Sequence, residues 1–122
     1  MPETTESILK HHLEAYIARD LPALMEDYTE ESVILVRSGR AFQGLAQIES
    51  LFQRAFAEFG APGATFAVGS TAVHGEVALI TWSAETAANT YEFGTDTFII
   101  RGGKILVQTF VAKATPKTEP SA

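Results

Sequence analysis

The order of patterns along the chain predicts an α+β fold, with three N-terminal helices packed on a mostly antiparallel sheet. Three observations carry this. Apolar residues recur at helical spacing through residues 5–59, alternating and β-branched runs fill residues 64–113, and short turn signals join those runs as hairpins.

The first helix is read over residues 5–19. Ile8, Leu9, Leu13, Tyr16 and Ile17 form one face, with Thr4 or Thr5 as the cap. Asp20 caps a short second helix whose first turn holds Pro22, where a missing N–H costs little. Its face is Leu21, Leu24, Met25 and Tyr28. Val33 to Val36 is a β-branched run and reads as a strand. The third helix, residues 44–59, carries a wide stripe from Leu45 to Phe59, and Gly60 is read as its left-handed cap before Pro62.

Strands are then read over 64–73, 77–90, 93–101 and 104–113, with turns at His74-Gly75-Glu76 and Gly102-Gly103. In 77–90, Ala78, Ile80, Trp82 and Ala84 share one face and Val77, Leu79, Thr81 and Ser83 the other. Both faces are fairly apolar, which suits a sheet with helices on one side and a partner subunit on the other. Leu79, Thr81, Ile99, Ile105, Val107 and Thr109 are candidates for that second face, and a homodimer through the sheet is predicted. One domain over 1–113 and a disordered tail over 114–122 complete the division.

Composition narrows function by exclusion. Nine Lys and Arg stand against fifteen Asp and Glu, a net charge of −6, and the cations are scattered, which argues against nucleic acid or membrane as a partner. No cysteine is present, so thiol chemistry is excluded. His11 and His12 point to different faces of their helix and His74 falls on a turn, so no metal site is predicted. No phosphate loop or nucleophile elbow occurs, and no cofactor is predicted. The first ten residues do not read as a signal peptide and no stretch is long and apolar enough for a membrane helix, so a cytoplasmic location is expected.

Three segments carry a family resemblance. Tyr16-Ile-Ala-Arg-Asp20-Leu-Pro-Ala-Leu24 resembles the opening helix–break–helix of SnoaL-like proteins. Phe42-Gln-Gly44-Leu-Ala-Gln-Ile48 resembles the start of their third helix, and Asp96-Thr-Phe98 through Gln108 their closing hairpin. In order and spacing they resemble the nuclear transport factor 2-like superfamily, which also holds ketosteroid isomerase-like proteins. The resemblance implies a strongly curved sheet forming a cone with an apolar pocket, and a small hydrophobic molecule as partner. It does not fix an activity, because members include isomerases, cyclases, dehydratases and non-catalytic binding modules.

Asp96 shares a strand face with Phe98 and Ile100, so burial should raise its pKa and suit it to acid–base work. The resemblance implies the same, since ketosteroid isomerase keeps the matching aspartate protonated as a donor and polyketide cyclases use one as acid–base. A structural carboxylate bonded to backbone or arginine fits the pattern too. His12 lies among Leu9, Leu13 and Tyr16, where the resemblance places an oxyanion-hole tyrosine, and is read as the catalytic partner of Asp96 or as a solvent-edge histidine beside an exposed His11. Tyr16, Tyr28, Trp82, Phe98 and Gln108 are the candidate ligand-binding residues. Trp82 needs a partner for its N–H if buried, and Gln108, in phase with Phe110 and Ala112, is placed to orient Asp96. Val36 stands where the resemblance puts the isomerase's general-base aspartate, which argues against true ketosteroid isomerase activity, and the Asp–Arg–Asp set of limonene epoxide hydrolase is not found intact. Acid–base catalysis, ligand binding without chemistry, and a dimeric interaction module all remain open at this point.

Overall fold

The computed structural model describes residues 4–117. Helix α1 spans Thr5–Ala18 and α2 Leu21–Met25; strands β1 (Val33–Val36) and β2 (Ala41–Gln43) precede α3 (Leu45–Phe59); β3 (Thr65–His74), β4 (Val77–Glu85), β5 (Asn89–Arg101) and β6 (Lys104–Pro116) follow. Thr4 and Ser7 close a capping box on α1, and the Asp20 side chain accepts from the Ala23 N–H at 3.1 Å to start α2. Each such cap contributes about 1 kcal/mol. Gly102 and Gly103 both take positive φ, 60° and 76°, which allows the two-residue β5–β6 turn.

The six strands form one sheet in the order β2-β1-β6-β5-β4-β3. Every pairing is antiparallel except β1 with β6, which is parallel. Register breaks in β3–β4, β4–β5 and β5–β6 bend the long strands, and the curved sheet closes on the three helices, as the α+β reading predicted.

One inner row runs from Asp96 on β5 through Phe110 on β6 to Val36 on β1. On the outer side, Leu35, Thr109, Thr97 and Leu79 line up across β1, β6, β5 and β4, and Val33, Val107, Ile99 and Val77 form a parallel row. Neither outer row holds a charge.

Several expectations are corrected. Ile17 is 55% exposed, outside the α1 face. Gly60 takes φ −90°, so α3 ends without a left-handed cap. The stretch 77–90 is not one strand: β4 stops at Glu85, and β5 starts at Asn89, earlier than read. Short β2 went unread. Ile105 belongs to the core and not to the outer face, because the β5–β6 register passes from Ile99↔Val107 to Ile100↔Ile105 and skips Leu106. Ala114 to Pro116, read as the start of a disordered tail, are paired with Tyr91, Thr90 and Asn89; residues 118–122 of that tail lie outside the described residues.

Candidate functional site

Between the sheet and the helices lies a cavity of about 370 Å³, within the range of about 300–1,000 Å³ usual for small-molecule sites. Leu51, Phe52, Ala55 and Phe59 of α3 supply much of its helical wall, and Ile80, Trp82, Phe110 and Ala112 much of its sheet wall. Leu51 and Phe59 are only half-buried although they lie on the apolar stripe of α3, because they border this space.

His12, Tyr16, Trp82, Asp96 and Gln108 all line the cavity, as the sequence predicts. Tyr28 and Phe98, also predicted to line it, are not in its wall. Both are buried, and both rings pack edge-on against His12, with centroids at 6.1 and 5.2 Å.

Asp96 is 6% exposed. Its Oδ1 accepts from Trp82 Nε1 at 2.9 Å and its Oδ2 from Gln108 Nε2 at 2.7 Å. Burial pushes the carboxyl up to about 6, outweighing the two donors that favour its anion. The Trp82 ring reaches it because β4 pairs Trp82 with Gly94, over which the indole lies; a Cβ there would sit 2.2 Å from the ring.

His12 does not meet Asp96 directly. The Gln108 Oε1 accepts from the Tyr28 hydroxyl, whose oxygen faces His12 Nδ1 at 3.5 Å. With the tyrosine proton on Gln108, an attractive contact puts the imidazole proton on Nδ1. His12, Tyr28 and Gln108 thus form a chain of donors ending on the carboxylate. Burial and, to a lesser degree, the neighbouring His11 drop the His12 pKa to about 3, so the ring is neutral and no His12–Asp96 ion pair forms. His12 Nε2 and the Tyr16 hydroxyl have no hydrogen-bond partner among the described residues, yet no side-chain polar atom is sealed without one, so both open on the cavity. Burial raises the Tyr16 pKa, and the Asp96 charge adds to it, so the phenol keeps its proton and can donate.

Sequence reasoning missed a second buried carboxylate. Asp27, 4% exposed, binds His11 Nδ1 at 2.8 Å through Oδ2. Burial raises the Asp27 pKa despite the histidine, while the bond to Asp27 raises that of His11. His11 is therefore half-buried and engaged, not the exposed residue expected. Glu58 was missed too. Its Oε2 accepts from Thr86 at 2.6 Å, Asn89 at 2.9 Å and Tyr91 at 2.8 Å, tying the end of α3 to the β4–β5 connection. Burial pushes the Glu58 pKa up, but these three bonds outweigh it and hold it below the ordinary value. Pairings between distant elements leave no local sequence signal. Among the described residues no group of three or more His, Asp or Glu side chains is arranged to hold a metal ion, and no helix is long and apolar enough to cross a membrane.

Residues 9–108 match the family model described as a SnoaL-like domain. No curated protein matches the chain. Among solved structures it is similar to a candidate ketosteroid isomerase from Kribbella flavida DSM 17836, at 14% identity and a TM-score of 0.77, covering 99% of this chain and 87% of that one. It is also similar to a candidate polyketide cyclase from Sinorhizobium meliloti, at 21% identity and TM-score 0.72, covering 84% and 92%. A third is IdmH, a candidate polyketide cyclase from Streptomyces antibioticus, at 16% identity and TM-score 0.75, covering 90% and 92%. At these identities the likeness is one of fold.

Proposed function

Because the chain belongs to the SnoaL-like domain family, we propose that it is a small-molecule pocket protein that moves a proton on a hydrophobic carbonyl compound, by cofactor-free chemistry of the isomerase, cyclase or dehydratase type. The observation that carries this is the Asp96 carboxylate on the wall of an apolar cavity, with a pKa of about 6. A base in that range is mostly ionised at neutral pH, yet its conjugate acid is still a useful donor.

In the proposed step, the Asp96 anion takes a proton from the carbon next to the carbonyl. The C–H electron pair becomes the C=C bond of an enolate, and negative charge moves to oxygen. The Tyr16 O–H is the free donor available to that oxygen. The protonated Asp96 then returns the proton to the same or another carbon. Trp82 and Gln108 hold the carboxylate in place throughout. His12, with a pKa of about 3, is too weak a base to compete and serves as a neutral hydrogen-bonding group. Val36 lines the cavity as an aliphatic residue, so Asp96 carries both halves of the transfer. A cytoplasmic location and a homodimer through the outer sheet face belong to the same proposal.

The test follows deuterium exchange at the α-carbon of a panel of aryl and cyclic ketones in D₂O by NMR. The protein should accelerate exchange, with a rate rising through pH 6, and Asp96→Asn should lower it by about a hundredfold or more. Binding without any acceleration of exchange would overturn acid–base chemistry and leave a ligand-binding module.

A further inference from the structure

Among the described residues, Arg37 is the one Lys or Arg side chain in the cavity lining. It directly follows Val36 at the end of β1, where the chain turns towards β2, and it is exposed. The other arginines near that turn are engaged: Arg40 and Arg54 lie over the Phe42 ring, at 4.4 and 5.7 Å from its centroid. Arg37 has no ion pair or hydrogen bond among the described residues, although the chain carries fifteen acidic residues. An unpaired guanidinium beside an apolar opening is free to form a two-pronged bond with a carboxylate.

The inner row of the sheet sets a length. Asp96, Phe110 and Val36 are aligned on three adjacent strands, so two interstrand spacings put the backbones of Asp96 and Val36 about 10 Å apart, with Arg37 one residue further on. The cavity thus has a proton-transfer group inside, an apolar span, and a single cation at the rim.

From this juxtaposition we propose that the ligand is an amphipathic keto acid, whose carbonyl lies against Asp96 and Tyr16 and whose carboxylate, across the apolar span at the Val36 end of the row, is held by Arg37. This rests on the reading of the cavity as a site for hydrophobic carbonyl compounds and names the class within it. The carboxylate selects the ligand and sets its direction of insertion, carbonyl first, since the reverse orientation would bury one anion against another at Asp96. The contact lies at the rim, so its strength should fall with added salt.

The experiment is calorimetric titration of the full chain with 8-oxo-8-phenyloctanoate and with its methyl ester. The acid should bind about five- to tenfold more tightly than the ester, with the preference shrinking at 0.5 M NaCl relative to 0.05 M, a change that shortens the screening length from about 14 to 4 Å. Arg37→Gln should remove most of the preference by weakening the acid alone, and Arg37→Glu should invert it. Arg37 is exposed, so both variants keep the core intact. Equal affinities for acid and ester, an acid preference that survives Arg37→Gln, or no binding of the acid at millimolar concentration would each overturn the proposal. Asp96→Asn separates the two claims: an acid preference retained in that variant beside unaccelerated α-proton exchange in the wild type supports the carboxylate site and sinks the catalytic reading.

Discussion

Asp96 and His12 carry pKa shifts in opposite directions, and their contributions to acid stability oppose each other. The folded Asp96 binds its proton more tightly than the unfolded one, about 6 against 3.8. Its contribution is full below pH 3.8 and is lost as pH rises through 6. His12 is lowered from 6.5 to about 3, so its contribution is full above pH 6.5 and is lost as pH falls through 3. Between pH 4 and 6 the two slopes oppose each other. Asp96→Asn removes one of them and should steepen the loss of stability on acidification by up to about 1.4 kcal/mol per pH unit relative to wild type. The asparagine also turns an NH₂ towards a site built from two donors, which lowers the whole curve; the slope is the quantity to read. Urea unfolding of both proteins at half-unit steps from pH 4 to 6 measures it, and parallel profiles would show that Asp96 is not buried with a raised pKa.

At the scale of elements, Gly94 decides whether β4 and β5 build the site. It is buried in mid-strand beneath the Trp82 indole. A methyl group there must displace the ring, which also carries the N–H bonded to Asp96. Gly94→Ala should cost about 1–3 kcal/mol as an overpacked core and lower the cavity's affinity for ketone ligands, both measurable by chemical denaturation and titration. Period and turn chemistry made most of these elements legible in the sequence. The alternation of Ala78, Ile80, Trp82 and Ala84 is the observed buried face of β4, and Asp96, Trp82 and Gln108 follow from the same two-residue period. The rest was not legible for physical reasons. The bulged residue Leu106 shifts the phase in which Ile105 is read. The β4–β5 boundary depends on Glu58 of α3, which binds Thr86 and Asn89. Asp27 is buried by tertiary packing that its neighbours in sequence do not announce, and Arg37 borders the cavity from the turn that follows β1.

For the whole molecule, the outer sheet face is an extended apolar surface. Its rows of Val, Leu, Ile and Thr are uncharged across four strands, and Leu35, Val77, Leu79 and Val111 are exposed. Such a face favours a second copy of the chain with the same surface. Sedimentation at micromolar concentration should give a dimer, and Leu79→Lys should shift it towards monomer; a wild-type monomer at that concentration would refute the pairing.

The place of β6 between β1 and β5 also governs when the fold can form. Ser32 and Ile105, 73 residues apart, are joined by a hydrogen bond of 2.6 Å where β6 passes the start of β1. On a ribosome, β1 and β2 leave the tunnel long before the strand that connects them to the rest of the sheet. The early half of the chain therefore waits, with its apolar strand edge uncovered, until β6 is made. Long-range closures of this kind slow folding and leave the uncovered strand edge of the nascent chain open to aggregation. The residues that complete the cavity wall, Phe110 and Ala112, arrive with that same strand, so a site competent to bind requires β6 to be in place.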